Sequence, residues 1–133
     1  MNIFEIIGPV MVGPSSSHTA GAARIGFVAR NLLGEEVKEA EILLYGSFLA
    51  TGRGHGTDRA LVGGLMGMKP DDYRIPNSIE IAKERGIKLS FGEAILKEGH
   101  PNSALLRLKG ESGKKLEIIG ESLGGGRINI AQI

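Results

Sequence analysis

SALLRLKGESGKKLEIIGE, residues 103–121, is the stretch on which the fold turns. Two apolar-rich runs, Ser103 to Lys109 and Leu116 to Glu121, flank GESGKK, whose glycines and serine read as a hairpin turn. Paired antiparallel, they make a hairpin. The rest of the C-terminal half has the same texture. Ile87 to Phe91, Ala94 to Lys97 and Arg127 to Ile133 are further short runs, separated by Gly, Pro, Asn and Ser.

Upstream the period changes. Thr19 to Leu33 carries apolar residues at Ala22, Ala23, Ile25, Val28, Ala29, Leu32 and Leu33, a helical spacing that Gly34 closes. VKEAEILLY at 37–45 alternates and then turns continuously apolar, as a strand does when it is buried more deeply at its end. Ser47 to Thr51 reads as a short helical turn. Thr57 or Asp58 is placed to cap a helix through Met68, and Asn77 or Ser78 one running to Arg85. Asn2 to Ile7 is a short apolar run ended by Gly8 and Pro9. Helices early and strands late predict an α+β domain over residues 1–133, a mainly antiparallel sheet with helices packed on one face.

Composition excludes several function classes. The 16 basic and 15 acidic residues nearly cancel, and no basic stripe suited to nucleic acid is visible. No apolar run reaches the roughly 20 residues that span a bilayer, and no secretory leader is apparent, so a cytoplasmic protein is expected. With no cysteine, the chain can supply neither disulfides nor thiolate ligands, and any iron–sulfur cluster must be held by another chain. The three histidines lack the i, i+4 pairing of helical zinc sites, which argues against a metal hydrolase.

Each histidine sits instead on irregular backbone, in SSSHT, GRGHG and EGHPNS. GPSSSHTAGAARIG, residues 13–26, puts four hydroxyls and an imidazole at the start of a helix, more than a cap requires. Free N–H groups, the positive helix end and hydroxyls together make a seat for a carboxylate or phosphate. TGRGHGTDRAL, residues 51–61, places His55 between glycines just before another helix start, where an imidazole can move protons. GHPNSALL at 99–106 and ESLGGGRINI at 121–130 are two more motifs of this kind. Each stretch also has a plain reading: a serine-rich cap, a glycine turn, a turn before a strand, and a bulge.

GPVMVGPSSSHTAGAARIG, YGSFLATGRGHGTDRALVGGL, HPNS and ESLGGG, in this order, resemble the beta chain or beta domain of bacterial iron–sulfur-dependent L-serine dehydratase. The resemblance leaves out the C-terminal ACT regulatory domain that separate beta chains of that family usually carry. It implies deamination of L-serine to pyruvate and ammonia with a cysteine-bearing alpha chain, whose 4Fe-4S cluster binds the substrate hydroxyl. It implies a fold shared with the allosteric substrate-binding domain of some D-3-phosphoglycerate dehydrogenases. On that scaffold a small-anion regulatory module without catalysis is the alternative. Under the enzyme reading Ser15, Ser16, Ser17 and Thr19 face the substrate carboxylate. His55, oriented by Thr57 or Asp58, is the base for the α-proton, with His18 its rival; Asn102 and His100 line the pocket or the interface. Val10 to Val12 and Leu65 to Met68 are candidate partner contacts, although ordinary core is the commoner fate of such residues, and the isolated chain is expected to self-associate through surfaces a partner would cover.

Overall fold

The computed structural model describes residues 17–51, 56–96 and 100–132, with backbone alone at Ser17, His18, Thr51 and Gln132. The chain runs α1 (Ser17–Leu33), β1 (Val37–Gly46), α2 (Ser47–Thr51), α3 (Thr57–Leu65), a 3-10 turn (Ile75–Asn77), α4 (Ser78–Glu84), β2 (Lys88–Glu93), β3 (Asn102–Gly110), β4 (Lys115–Gly124) and β5 (Arg127–Gln132). The strands form one sheet in the order β2-β1-β3-β4-β5. Only β1 and β2 are parallel; the other three pairings are antiparallel, so the expected α+β class and mainly antiparallel sheet hold. GESGKK is the β3–β4 turn, closed by the Gly110 N–H on the Lys114 carbonyl (2.8 Å).

Alternation sorts the sheet into two faces. Ala40, Ile42 and Leu44 of β1, Ala104, Leu106 and Leu108 of β3, and Leu116 and Ile118 of β4 are buried in the core with Ala22, Ala23, Ile25, Ala29 and Leu33 of α1. The opposite face carries Glu41, Arg107 and Glu117 side by side on three neighbouring strands. Arg107 Nε donates to Glu117 (2.6 Å) and Nη1 to Glu41 (3.1 Å). That ladder marks the solvent side, and the helices lie on the other.

Helix α3 is buried nearly all round, with Thr57, Asp58, Ala60, Leu61, Val62, Gly63, Gly64 and Leu65 all buried. It packs on α1 through glycines. A Cβ on Gly64 would stand 2.7 Å from Phe27 N and 3.0 Å from Gly26 Cα; one on Gly26 would stand 2.9 Å from Leu65 N. Two backbones thus touch where any side chain would hold them apart. Ser78, fully buried at the start of α4, donates its hydroxyl to the Arg59 carbonyl (2.6 Å) and ties α4 to α3.

Three expectations need correction. α3 ends at Leu65, not Met68, because the Met66, Gly67 and Met68 N–H groups turn back onto carbonyls of residues 62–64 and Gly67 adopts φ 91°. The residue before α3 is Gly56 at φ 87°, which leaves Thr57 and Asp58 inside the first turn and not capping it. Residues 94–96 are not a strand: Ala94 N–H still reaches the Leu44 carbonyl (2.9 Å), but β1 turns at Gly46 and offers nothing further; Lys97 lies outside the described residues. For Leu65, Met66 and Met68 the core reading holds: they are at most 8% exposed and not available to a partner. The run Asn2–Ile7 and the Val10–Val12 contact lie outside the described residues.

Candidate functional site

One end of the domain gathers the motifs. α1 begins at Ser17, two residues before the expected start, so Thr19 lies within its first turn. α1 and α3 run in the same direction: Thr19 is beside Gly56 at their starts, where a Cβ on Gly56 would stand 3.7 Å from Thr19 Cγ2, and Ala23 and Phe27 are beside Gly64 further along. The first turns of two helices therefore open side by side. In the first turn of α3 the Arg59 N–H donates to Asp58 (2.7 Å) and the Ala60 N–H to the Gly56 carbonyl (2.9 Å), and the two helix dipoles point their positive ends to the same side.

The two C-terminal motifs close on the same end. Gly21 of α1 packs directly on Ser122 of β4, whose Cβ would lie 2.8 Å from a Cβ at residue 21. Ser122 is 2% exposed and sits at the register shift between β4 and β5, the bulge expected at ESLGGG. Gly124, Gly125 and Gly126 all have positive φ and turn the chain into β5 beside Arg24 of α1.

HPNS forms the entry to β3. Asn102 N–H donates to His100 Nδ1 (3.0 Å), and Ser103 Oγ donates to the His100 carbonyl (2.5 Å). An accepting Nδ1 puts the neutral ring's proton on Nε2. The Ser47 N–H that opens α2 donates to the Pro101 carbonyl (2.5 Å), and Asn102 pairs with Gly46 in the sheet. α2 is the described element that precedes α3 in the chain. HPNS is thus clamped to the element that feeds the second motif.

Of the residues singled out in the sequence, Thr19 and Thr57 come together at the paired helix starts, Thr57 fully buried and Thr19 partly exposed. Asn102 lies half-buried at the same end. Asp58, 8% exposed, accepts the N–H of its neighbour Arg59 (2.7 Å). Ser15, Ser16 and His55 lie outside the described residues, as do the side chains of Ser17 and His18. Ser122 was passed over in the sequence; its signal is a buried hydroxyl paired with the small Gly21, a contact that no single-motif reading can see. Among the described residues no group of three His, Cys, Asp or Glu could hold a metal ion. No described helix is long and apolar enough to cross a membrane.

The described parts of the four motifs, Thr19, Gly56 and Thr57, Asn102, and Ser122, thus lie at one end of an α+β domain. The family model for the serine dehydratase beta chain matches residues 2–87, and the chain belongs to that family. It is 49% identical over 132 residues to the probable L-serine dehydratase, beta chain, of Bacillus subtilis, covering 99% of this chain and 60% of that protein. It is 47% identical over 131 residues to the L-serine dehydratase, beta chain, of Peptoniphilus asaccharolyticus, covering 98% and 59%. L-serine dehydratase 2 of Escherichia coli is 38% identical over 95 residues, 65% of this chain and 20% of that protein. The chain thus spans about 60% of the length of the two beta chains it matches.

Proposed function

We propose that this chain is the beta part of an iron–sulfur L-serine dehydratase, converting L-serine to pyruvate and ammonia together with a cysteine-bearing alpha chain. The observation that supports the reading is the juxtaposition of Thr19, the last residue of SSSHT, and Gly56, the middle residue of GHGTD. Family membership and the two beta-chain relatives support the substrate.

The 4Fe-4S cluster that the resemblance implies does not fit this chain, which has no cysteine to ligate it; the cluster belongs to the alpha chain. What remains for the beta chain is the other end of the substrate. Serine carries a weakly acidic Cα–H, and its removal needs a positioned base. Ser15, Ser16, Ser17 and Thr19 receive the carboxylate at the positive start of α1. His55 takes the α-proton, with Thr57 and Asp58 fixing the start of α3 behind it; His18 is the second candidate for that proton. Asn102 lines the pocket. The enamine left by elimination tautomerises and hydrolyses in water to pyruvate and ammonia.

Anaerobic mixing with the alpha chain should give serine-dependent pyruvate, and His55→Ala should remove turnover while leaving the complex intact. Normal turnover by that variant eliminates His55 as the base. The same paired helix starts also suit a regulatory module of the dehydrogenase-associated kind, which would bind serine or phosphate alone; calorimetry on the isolated chain separates the two.

A further inference from the structure

The face of the sheet turned away from the helices is divided across its strands. Towards the start of β1 it is charged and paired with itself: Arg107 bonds Glu41 and Glu117, and Lys109 stands 4.0 Å from Glu39. One row further along, the register lines up Gly92, Leu43, Leu105, Ile119 and Ala131 on the five neighbouring strands. Alternation turns this row to the same side as Glu41, Arg107 and Glu117. Two observations agree with that direction. A Cβ on Gly92 would stand 2.9 Å from Leu43 Cδ2, and Leu105, although only 8% exposed, lies outside the core cluster formed with the helices. Leu43 and Ile119 are half-buried and Ala131 is exposed.

A sheet with one face in water carries polar side chains at its outward positions. This row has none, and no described helix covers it. We infer that two copies of this chain pack sheet on sheet through this face. A two-fold axis along the row lays each strand over its own copy and the apolar row over itself. The rows on either side then exchange places. Glu41 and Arg107 come over Tyr45 and Ser103 of the second copy, all four being two residues from the row, and Glu121 is the cross-strand neighbour of Ser103. Glu121 accepts from Asn129 Nδ2 (3.3 Å) and has no cation beside it among the described residues. Arg107 keeps N–H groups to spare after binding Glu41 and Glu117, so each copy supplies the cation that the other lacks. Five strands about 4.8 Å apart and four outward rows about 6.7 Å apart make a face of roughly 650 Å². That flat area approaches the roughly 800 Å² of accessible surface each partner of a stable dimer buries, and sheets of one twist fit face to face about 10 Å apart. The inference is independent of the proposed function, since the row lies on the other face of the sheet from α1.

The test is the oligomeric state of the full chain by sedimentation equilibrium, from about 1 to 200 µM. Wild type should dimerise within that range. Ile119→Lys should raise the dissociation constant about 100-fold and Glu121→Lys about 10-fold. Leu32→Lys, which alters an apolar residue 46% exposed on α1, should leave it unchanged. The cysteine-free chain also allows a positional readout: Ile119→Cys should be joined to its own copy by a bismaleimide about 10 Å long, and Leu32→Cys should not. A wild type that stays monomeric throughout leaves the row to some other partner and overturns the inference. So does a dimer unweakened by Glu121→Lys or by a folded Ile119→Lys, one dissolved by Leu32→Lys, or one that Ile119→Cys does not cross-link.

Discussion

Replacing Gly64 with alanine would test the helix crossing on which the site depends. In an ordinary helix the change stabilises, by about 1 kcal/mol of propensity. Here the new methyl would stand 2.7 Å from Phe27 N and 3.0 Å from Gly26 Cα, and closer still to the Ala23 carbonyl. Carbon contacts relax at about 3.5–4.0 Å, so α1 and α3 must part by roughly 1 Å. The atoms in the way are backbone, and no rotamer change relieves them. Overpacking of this kind costs about 1–3 kcal/mol and sometimes more; backbone against backbone belongs at the upper end, near 3. Subtracting the propensity gain leaves a net loss of about 2 kcal/mol, a fall in Tm of roughly 6–10 °C for a domain of this size. Urea and thermal denaturation of the chain measure it. Gly26→Ala should cost a similar amount, and the double variant less than the sum, because the first methyl already opens the gap the second needs. A more stable Gly64→Ala protein would refute the reasoning.

Ser78→Ala should lose about 1–2 kcal/mol, since the Arg59 carbonyl would lose its buried donor; Ser78→Thr, which keeps the hydroxyl, separates that loss from simple truncation in the same denaturation assay. Acid should loosen the β3–β4 turn. The backbone N–H of Ser112, followed by its hydroxyl, holds the Glu35 carboxyl below its usual 4.5. A depressed folded-state value gives stability that is present above the unfolded value and lost as pH falls through the folded one. The urea midpoint should therefore decline below about pH 4.5, and Glu35→Gln should flatten that decline; an unchanged slope would remove Glu35 from the account.

The sheet was readable because its information is local. GESGKK between two alternating runs sets a hairpin whatever surrounds it, and Thr19 to Leu33 shows its buried stripe in a single helical period. The end of α3 was not readable, because Ala60, Leu61, Leu65 and Met68 keep an apolar spacing beyond the point where glycines let the chain turn back. The run 94–97 looked like a strand because the sequence carries its residue types but not the early turn of its neighbour at Gly46. The continuously apolar end of β1 is the more deeply set one: its outward residues Glu41, Leu43 and Tyr45 are half-buried where Lys38 and Glu39 are exposed. Ser122 was invisible for a related reason. Its environment is made by Gly21, roughly a hundred positions away, and a contact of that range leaves no trace in spacing.

The crossing of Gly26 and Gly64 has a mechanical side. Seven residues separate Thr19 from Gly26 and eight separate Gly56 from Gly64. At 1.5 Å per residue these are two arms of about 10 and 12 Å, hinged like scissors at a pivot without padding. A change of 10° in the angle between them would move the tips by about 2 Å, roughly the difference between a hydrogen bond and none.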